Sequence, residues 1–267
     1  MHNDTLTKTF LVTIGLCLLC SLVVSTAAVV LSPLQEKNRK NALNVSVLQV
    51  AGIYRPDVPV EEQFAKVQAK VVDLNEGVYV DSPKADGFDM VAAARNPDFG
   101  APLSKANDIA GISYLPRYAK IYLISSEDGL DKIVLPIYGY GLWSVLYGFI
   151  TLEADANTVY ALQFYQHGET PGLGGRVDDP KWQALWQGKK VYAAGSDPQL
   201  SVVKGQVNAS DPLSSYKVDG LSGATITATG VDHMLDFWFG QMGYRKFLEK
   251  QFYGMATRQE GSVRSAG

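Results

Sequence analysis

The amino-acid sequence predicts an α+β protein: a single N-terminal transmembrane helix followed by a domain of antiparallel sheet with flanking helices. Three observations carry this reading. An uncharged run of 22 residues, Phe10–Leu31, lies near the N-terminus. A strand-dense block with two hairpin signals occupies the middle of the chain, and helical patterns lie on either side of it. The chain has 267 residues, 46% of them hydrophobic and 19% charged, enough to pack a core beyond the span and too apolar for general disorder.

The elements follow in order. Residues 1–9 are a short N-terminal segment. At ~1.5 Å per residue the run over residues 10–31 covers about 33 Å, against about 30 Å for a hydrocarbon core. A cleaved signal peptide has a shorter apolar region, about 7–15 residues, and Ser25-Thr26-Ala27 is a poor cleavage signal. The run therefore reads as a retained anchor with lipid around it. Charge alone gives a divided answer on orientation. Lys8 precedes the span and Lys37, Arg39 and Lys40 follow it, which by the positive-inside rule places the C-terminal side in the cytoplasm; long domains, however, translocate regardless of charge. Both cysteines, Cys17 and Cys20, lie within the span, and their absence downstream suits an oxidising compartment.

The domain is expected over residues 32–253, with a flexible tail over 254–267. Ser32–Ala42 is polar and reads as a stalk. Pro59 opens a helical stretch in which Val60, Phe64, Val67 and Val71 share a face. Asp81–Leu115, rich in Pro, Gly, Asp and Asn, reads as a long loop. Lys120–Ser125 and Lys132–Tyr138 flank the turn signal Glu127-Asp128-Gly129, and Trp143–Leu152 and Thr158–Tyr165 flank Asp155-Ala156-Asn157, which together predict an antiparallel meander. Trp182 and Trp186 stand at helical spacing, Leu200–Lys204 is a short strand, and from Thr225 a helix places Val231, Leu235, Trp238, Phe239 and Met242 on one face.

Several function classes are disfavoured. With 24 basic and 27 acidic residues, a net charge of −3, the chain lacks the basic face that nucleic acid requires. Three histidines and two cysteines make a zinc site, a disulfide framework or an iron–sulfur cluster improbable. Neither GxGxxG after a strand nor GxxxxGK[ST] occurs. No Ser-His-Asp or paired-carboxylate arrangement marks a hydrolase.

Three segments carry candidate chemistry. Ser222-Gly223-Ala224-Thr225 ends a loop and opens a helix. The first helical N–H groups lack intrahelical partners and the dipole is positive there, so an anion is stabilised. Gly223 and Ala224 leave room for a bulky anion, and Thr225 adds a hydroxyl. The plain alternative is that Ser222 or Thr225 is an N-cap. His167-Gly168-Glu169-Thr170-Pro171-Gly172-Leu173-Gly174-Gly175-Arg176 is a constrained loop after a strand, able to press N–H groups and Leu173 against a flat ring, or simply a tight connector. Tyr140-Gly141-Leu142-Trp143 offers aromatic surface to a ligand or to a core.

Asp219-Gly220-Leu221-Ser222-Gly223-Ala224-Thr225 matches D-x-x-[ST]-G-A-[ST]. It resembles the site at which a flavin transferase attaches FMN by a phosphoester to a threonine. Together with HGETPGLGG some 50 residues earlier, the single span, GKK at Gly188–Lys190 and DFW at Asp236–Trp238, it is similar to the covalent-FMN subunit of the bacterial Na+-translocating NADH:quinone reductase. The related flavin-bearing subunit of the Rnf electron-transport complex shares the flavin motif and the ETPGLG loop but is usually shorter, and ranks second; a membrane-anchored FMN sensor module is the reading that keeps the fold without turnover. The resemblance implies an FMN-binding α+β domain on the periplasmic side of the inner membrane, despite the cluster Lys37–Lys40. It implies one covalent FMN on Thr225, a flavin transferase that reads Asp219 during maturation, and partner subunits of a redox complex, one of which handles NADH. It further implies that Ser222, Gly223 and Ala224 cradle the phosphate, that Thr170, Leu173, Gly174 and Glu169 contact the ring, and that Leu142 and Trp143 pack on it. Lys204, in VVKG just before the motif, is expected either to hydrogen-bond the flavin or to be solvated. No metal site is expected.

Overall fold

The computed structural model describes residues 6–127, 129–193 and 197–253. Two compact units result, one up to Asn44 and one from Val45 onward.

The first unit is dominated by α1 (Leu6–Val50), which begins before the uncharged run and continues through the polar stretch after it, with Pro33 inside. Among the described residues it is the one helix long and apolar enough to cross a membrane, with a mean hydropathy of 2.6 in its most apolar window. Its apolar side chains from Phe10 to Leu31 are exposed, as a lipid-facing surface requires. The last turn of α1 belongs to the second unit, and Val47, Leu48 and Val50 are buried there.

The second unit is built on a six-stranded antiparallel sheet. Its strands are β1 (Val67–Asp73), β2 (Val78–Val80), β5 (Tyr118–Ser126), β6 (Gly129–Tyr140), β7 (Val145–Glu153) and β8 (Val159–Gln166), in the order β2-β1-β5-β6-β7-β8. Both expected hairpins are present. The β7–β8 turn is closed by Asp155, whose Oδ1 accepts the N–H groups of Asn157 (2.9 Å) and Thr158 (2.7 Å), an Asx-type turn. Of the other turn signal, Asp128 lies outside the described residues.

The helical expectation over residues 60–71 fails. The helix from Pro59, α2 (Val60–Phe64), ends at Phe64, and Val67 and Val71 lie in β1, paired with β5 from Val67↔Ile124 to Asp73↔Tyr118. The β-branched run of Val67, Val71 and Val72 gains a full ladder there, and strand pairing overrides the weak helical preference. The stretch expected as loop holds three short elements: α3 (Met90–Ala93), capped by the Asp89 carboxylate, and a hairpin of β3 (Gly100–Pro102) with β4 (Tyr114–Pro116).

Both faces of the sheet are covered, which is why its strands read as continuous apolar runs. Ile121, Ile133, Leu135, Ile137, Ile150 and Leu162 form one core with α5 (Thr225–Phe239). Trp238 is fully buried and donates Nε1–H to the Tyr138 carbonyl at 2.7 Å. Tyr244, before α6 (Arg245–Leu248), donates to the Pro136 carbonyl at 2.7 Å. On the opposite face Tyr122, Val134 and Phe149 are buried, and Phe64 meets Tyr122 edge-on at 5.8 Å. Helix α5 buries Val231, Leu235, Trp238 and Phe239 as expected and also Thr227, Ala228, Met234 and Phe237; it ends at Gly240, so Met242 lies beyond it. The tryptophan pair sits on and after α4 (Pro180–Ala184), edge to face at 5.2 Å. The expected strand Leu200–Lys204 shortens to β9 (Ser201–Val202), parallel to β10 (Lys217–Val218). From β10 the chain runs directly into Asp219–Thr225. The expected tail lies outside the described residues.

Candidate functional site

Helix α5 opens at Thr225, and its N-cap position is Ala224, with no side-chain cap hydrogen bond. The capping alternative for Ser222 and Thr225 is therefore overturned. The physical reason is position: Thr225 is already the first helical residue, and the cap position itself falls on an alanine, which has no acceptor. Ser222, Gly223 and Thr225 are all exposed. The first turn thus presents bare N–H groups and a free hydroxyl at one point, an arrangement that stabilises an anion. Gly223 has φ +78°, and a Cβ there would lie 3.5 Å from Leu173 Cδ2. The two motifs, 50 residues apart in sequence, meet at this contact.

The HGETPGLGGR loop leaves β8 and folds back on itself. The Thr170 carbonyl accepts from the N–H groups of Leu173 (3.1 Å) and Gly175 (3.0 Å), and this turn leaves Thr170 and Leu173 exposed. Glu169 does the reverse. It is 4% exposed, and its carboxylate points inward. Oε1 accepts the N–H groups of Leu142 (3.1 Å), Trp143 (2.9 Å) and Ser144 (3.2 Å), and Oε2 accepts the Thr227 hydroxyl at 2.7 Å. Burial pushes this carboxyl up; the Thr227 hydroxyl and the three backbone donors outweigh it and hold the pKa below the ordinary carboxylate value. Space for the carboxylate comes from two glycines: a Cβ on Gly141 would lie 2.7 Å from Oε1, and one on Gly174 would lie 2.6 Å from Oε2. Glu169 therefore binds protein at every hydrogen bond found for it, while Leu142 and Trp143, at 66% exposure for the tryptophan, face outward from the turn it holds.

The remaining expected residues are placed as follows. Lys204 is exposed and lines one cleft with Val202, Gly205, Leu221, Thr225 and Thr229. Asp219 is partly buried; its Oδ1 accepts the Val207 N–H at 2.8 Å and its carbonyl accepts Trp182 Nε1–H at 2.8 Å, so it fixes the loop before the motif. Sequence reasoning missed three contributors. Arg176 donates from Nη1 to the Ser222 carbonyl at 3.4 Å, which brings a cation to the motif. Ile226, 59% exposed, adds apolar surface next to Thr225. Thr227 anchors Glu169. The first was visible as the arginine that ends the glycine loop; the other two depend on contacts across 58 residues or on helix phase.

The residues present suit a flavin phosphate: an exposed hydroxyl, an uncapped helix start, a cation on each flanking loop, and apolar surface from Trp143, Leu173 and Ile226. Comparison with known proteins agrees. Residues 141–239 match the FMN-binding domain family. The crystal structure of Shewanella oneidensis NqrC superposes with a TM-score of 0.72 at 34% identity, covering 79% of this chain and 98% of that one. The structure of the corresponding Na(+)-translocating NADH-quinone reductase subunit from Parabacteroides distasonis gives 0.64 at 29% identity, covering 82% and 96%. In sequence, the chain is 44% identical over 251 residues to the same subunit of the Na(+)-translocating NADH-quinone reductase of Pseudomonas aeruginosa, spanning 92% of this chain and 96% of that protein. Its Yersinia pestis counterpart is 40% identical over 254 residues, with 93% and 94% covered. With an N-terminal apolar helix, an antiparallel sheet, an FMN-binding domain match and this coverage, the chain belongs to the NqrC family, the FMN-binding subunits of the Na(+)-translocating NADH-quinone reductases.

Proposed function

We propose that the chain carries one FMN joined by a phosphoester to the Thr225 hydroxyl and passes electrons within a Na+-translocating NADH:quinone reductase. The observation that carries this is the exposed Thr225 hydroxyl at a helix start that no side chain caps, in contact range of the glycine loop through Leu173 and Gly223. When bound, FMN supplies reversible one- and two-electron redox chemistry. The chain's own part is binding and orientation. The N–H groups of α5's first turn and the Arg176 guanidinium offset the phosphate charge. Trp143, Leu142 and Leu173 give the ring an apolar bed and keep water from one side of it. Lys204, in the cleft shared with Thr225, favours a reduced, anionic ring.

In this reading Asp219 shapes the loop that the flavin transferase recognises, and α1 holds the domain at the inner membrane among partner subunits. We place the domain on the periplasmic side. The absence of cysteine after the span supports that side, and protease digestion tests it: the domain is cut in intact spheroplasts and protected in inverted vesicles, and the opposite pattern refutes the placement.

Intact mass with peptide mapping, on protein made alongside a flavin transferase, tests the cofactor. The peptide bearing Thr225 should gain one FMN less one water: the Thr225 Oγ–P bond forms while the bond from that phosphorus to its leaving group breaks, and the hydroxyl proton departs with the displaced group. Thr225→Ala should lose the added mass and keep the fold. Covalent flavin retained in that variant, or an unmodified Thr225 peptide in the parent protein, ends the assignment.

A further inference from the structure

We infer that Glu169 is a positioning residue that sets the flavin's redox poise, by holding a buried, unpaired negative charge between the Trp143 turn and the first turn of α5. This rests on the FMN reading above. Four observations support it. Glu169 is 4% exposed as a whole residue, so solvent screens its carboxylate little. Three of its four partners are backbone N–H groups, which can only donate, so Oε1 is an unprotonated acceptor. No lysine, arginine or histidine forms an ion pair with it among the described residues. Its two oxygens bridge the segments that flank the proposed ring position: Oε1 is 2.9 Å from the Trp143 nitrogen and Oε2 is 2.7 Å from Thr227 Oγ1, two residues beyond Thr225.

The packing gives the carboxylate no freedom to leave. Gly141 and Gly174 close on it from two sides, and any Cβ at either position would strike its oxygens. The adjacent segment is fixed as well: Ser144 Oγ accepts the Gly168 N–H at 2.6 Å, so the Trp143 turn is tied to the glycine loop twice. A rigid carboxylate with donors on both oxygens acts as a permanent local field. Adding an electron to a flavin beside it is disfavoured, so the field keeps the midpoint potential low. The three backbone hydrogen bonds to Oε1 also orient the Trp143 turn. Position and charge are thus delivered by one side chain and can be separated by substitution.

Glu169→Gln separates them. The amide oxygen can still accept the three N–H groups, and its NH2 can donate to the Thr227 hydroxyl, so shape and hydrogen-bond count are retained while the charge is lost. The experiment is a spectroelectrochemical titration of the flavinylated full chain in detergent, with intact mass and Trp fluorescence measured on the same samples. The expected result is unchanged FMN mass, unchanged tryptophan emission and a positive shift of the midpoint potential. Unchanged potential with FMN attached overturns the inference and leaves the FMN reading intact. Absence of FMN from the parent protein instead overturns the FMN reading. If Glu169→Gln does not fold, Thr227→Val tests the same charge from the other side. It removes the hydroxyl dipole that offsets Oε2, so the potential should shift negative, while Thr227→Ser should restore the parent value; no shift in Thr227→Val also overturns the inference.

Discussion

The Glu169 carboxylate accepts four hydrogen bonds in the ionised form, so protonating it weakens them. Its folded-state pKa lies below the ordinary value of 4.5, which gives the sign. The folded protein favours the ionised form, so the stabilisation is complete above about pH 4.5 and is lost as pH falls through the lower, folded-state pKa. Thermal unfolding of the parent protein and Glu169→Gln, measured from pH 3 to 7, should show a difference that shrinks toward the acid end; a constant difference would contradict the depressed pKa. Trp143 makes the complementary case. At 66% exposure its removal leaves little unpacked, so Trp143→Ala should change unfolding free energy by no more than ~0.5 kcal/mol. The same variant should alter the flavin absorption spectrum, and an unaltered spectrum removes Trp143 from the ring's surroundings.

Helix α5 does two tasks along its length: its first turn borders the site, and its last turns anchor the core. Trp238 is fully buried and its Nε1–H satisfies the Tyr138 carbonyl inside the sheet. Trp238→Phe removes that donor and leaves a buried carbonyl unpaired, which costs about 1–3 kcal/mol, with a further loss from the smaller ring. Urea denaturation should show the drop, and the FMN proposed on Thr225 should stay attached. The strands of the meander were legible because a sheet covered on both faces needs long apolar runs, and the turns because Asp155 and its neighbours leave the chain few alternatives. The stretch Val60–Val71 misled for a geometric reason. Residues four apart share a face in a helix and also in a strand, so Val67 and Val71 fit both periods; the ladder with β5 decided between them. The motif residues around Thr225 were legible as a helix start. Glu169's inward turn was not, because its partners lie 25 to 58 residues away, and no local pattern encodes such a contact.

In the whole chain the described buried core falls on one side of a single boundary. Every buried hydrophobic side chain from Val47 onward lies in the unit that begins at Val45, and the described residues of the unit before it bury none. A chain beginning at Val45 should therefore fold and accept flavin in the absence of membrane, with a thermal midpoint matching that of the full chain in detergent; a lower midpoint would show that α1's first turns support the domain. The full chain should stay in the pellet when membranes are washed with carbonate, and the shortened one should not. The bare first turn of α5 bears on how such a molecule is completed. Translation leaves that helix without a cap, and phosphate oxygens anchored on Thr225 would accept its free N–H groups. Under the proposed function, attachment of the cofactor is the last step of folding, and the proposed transferase inspects the domain as well as supplying the flavin. Amide hydrogens of Ile226 and Thr227 should exchange faster in chains made without the transferase than in flavinylated ones, and a cell could tell finished from unfinished molecules by that uncapped turn alone.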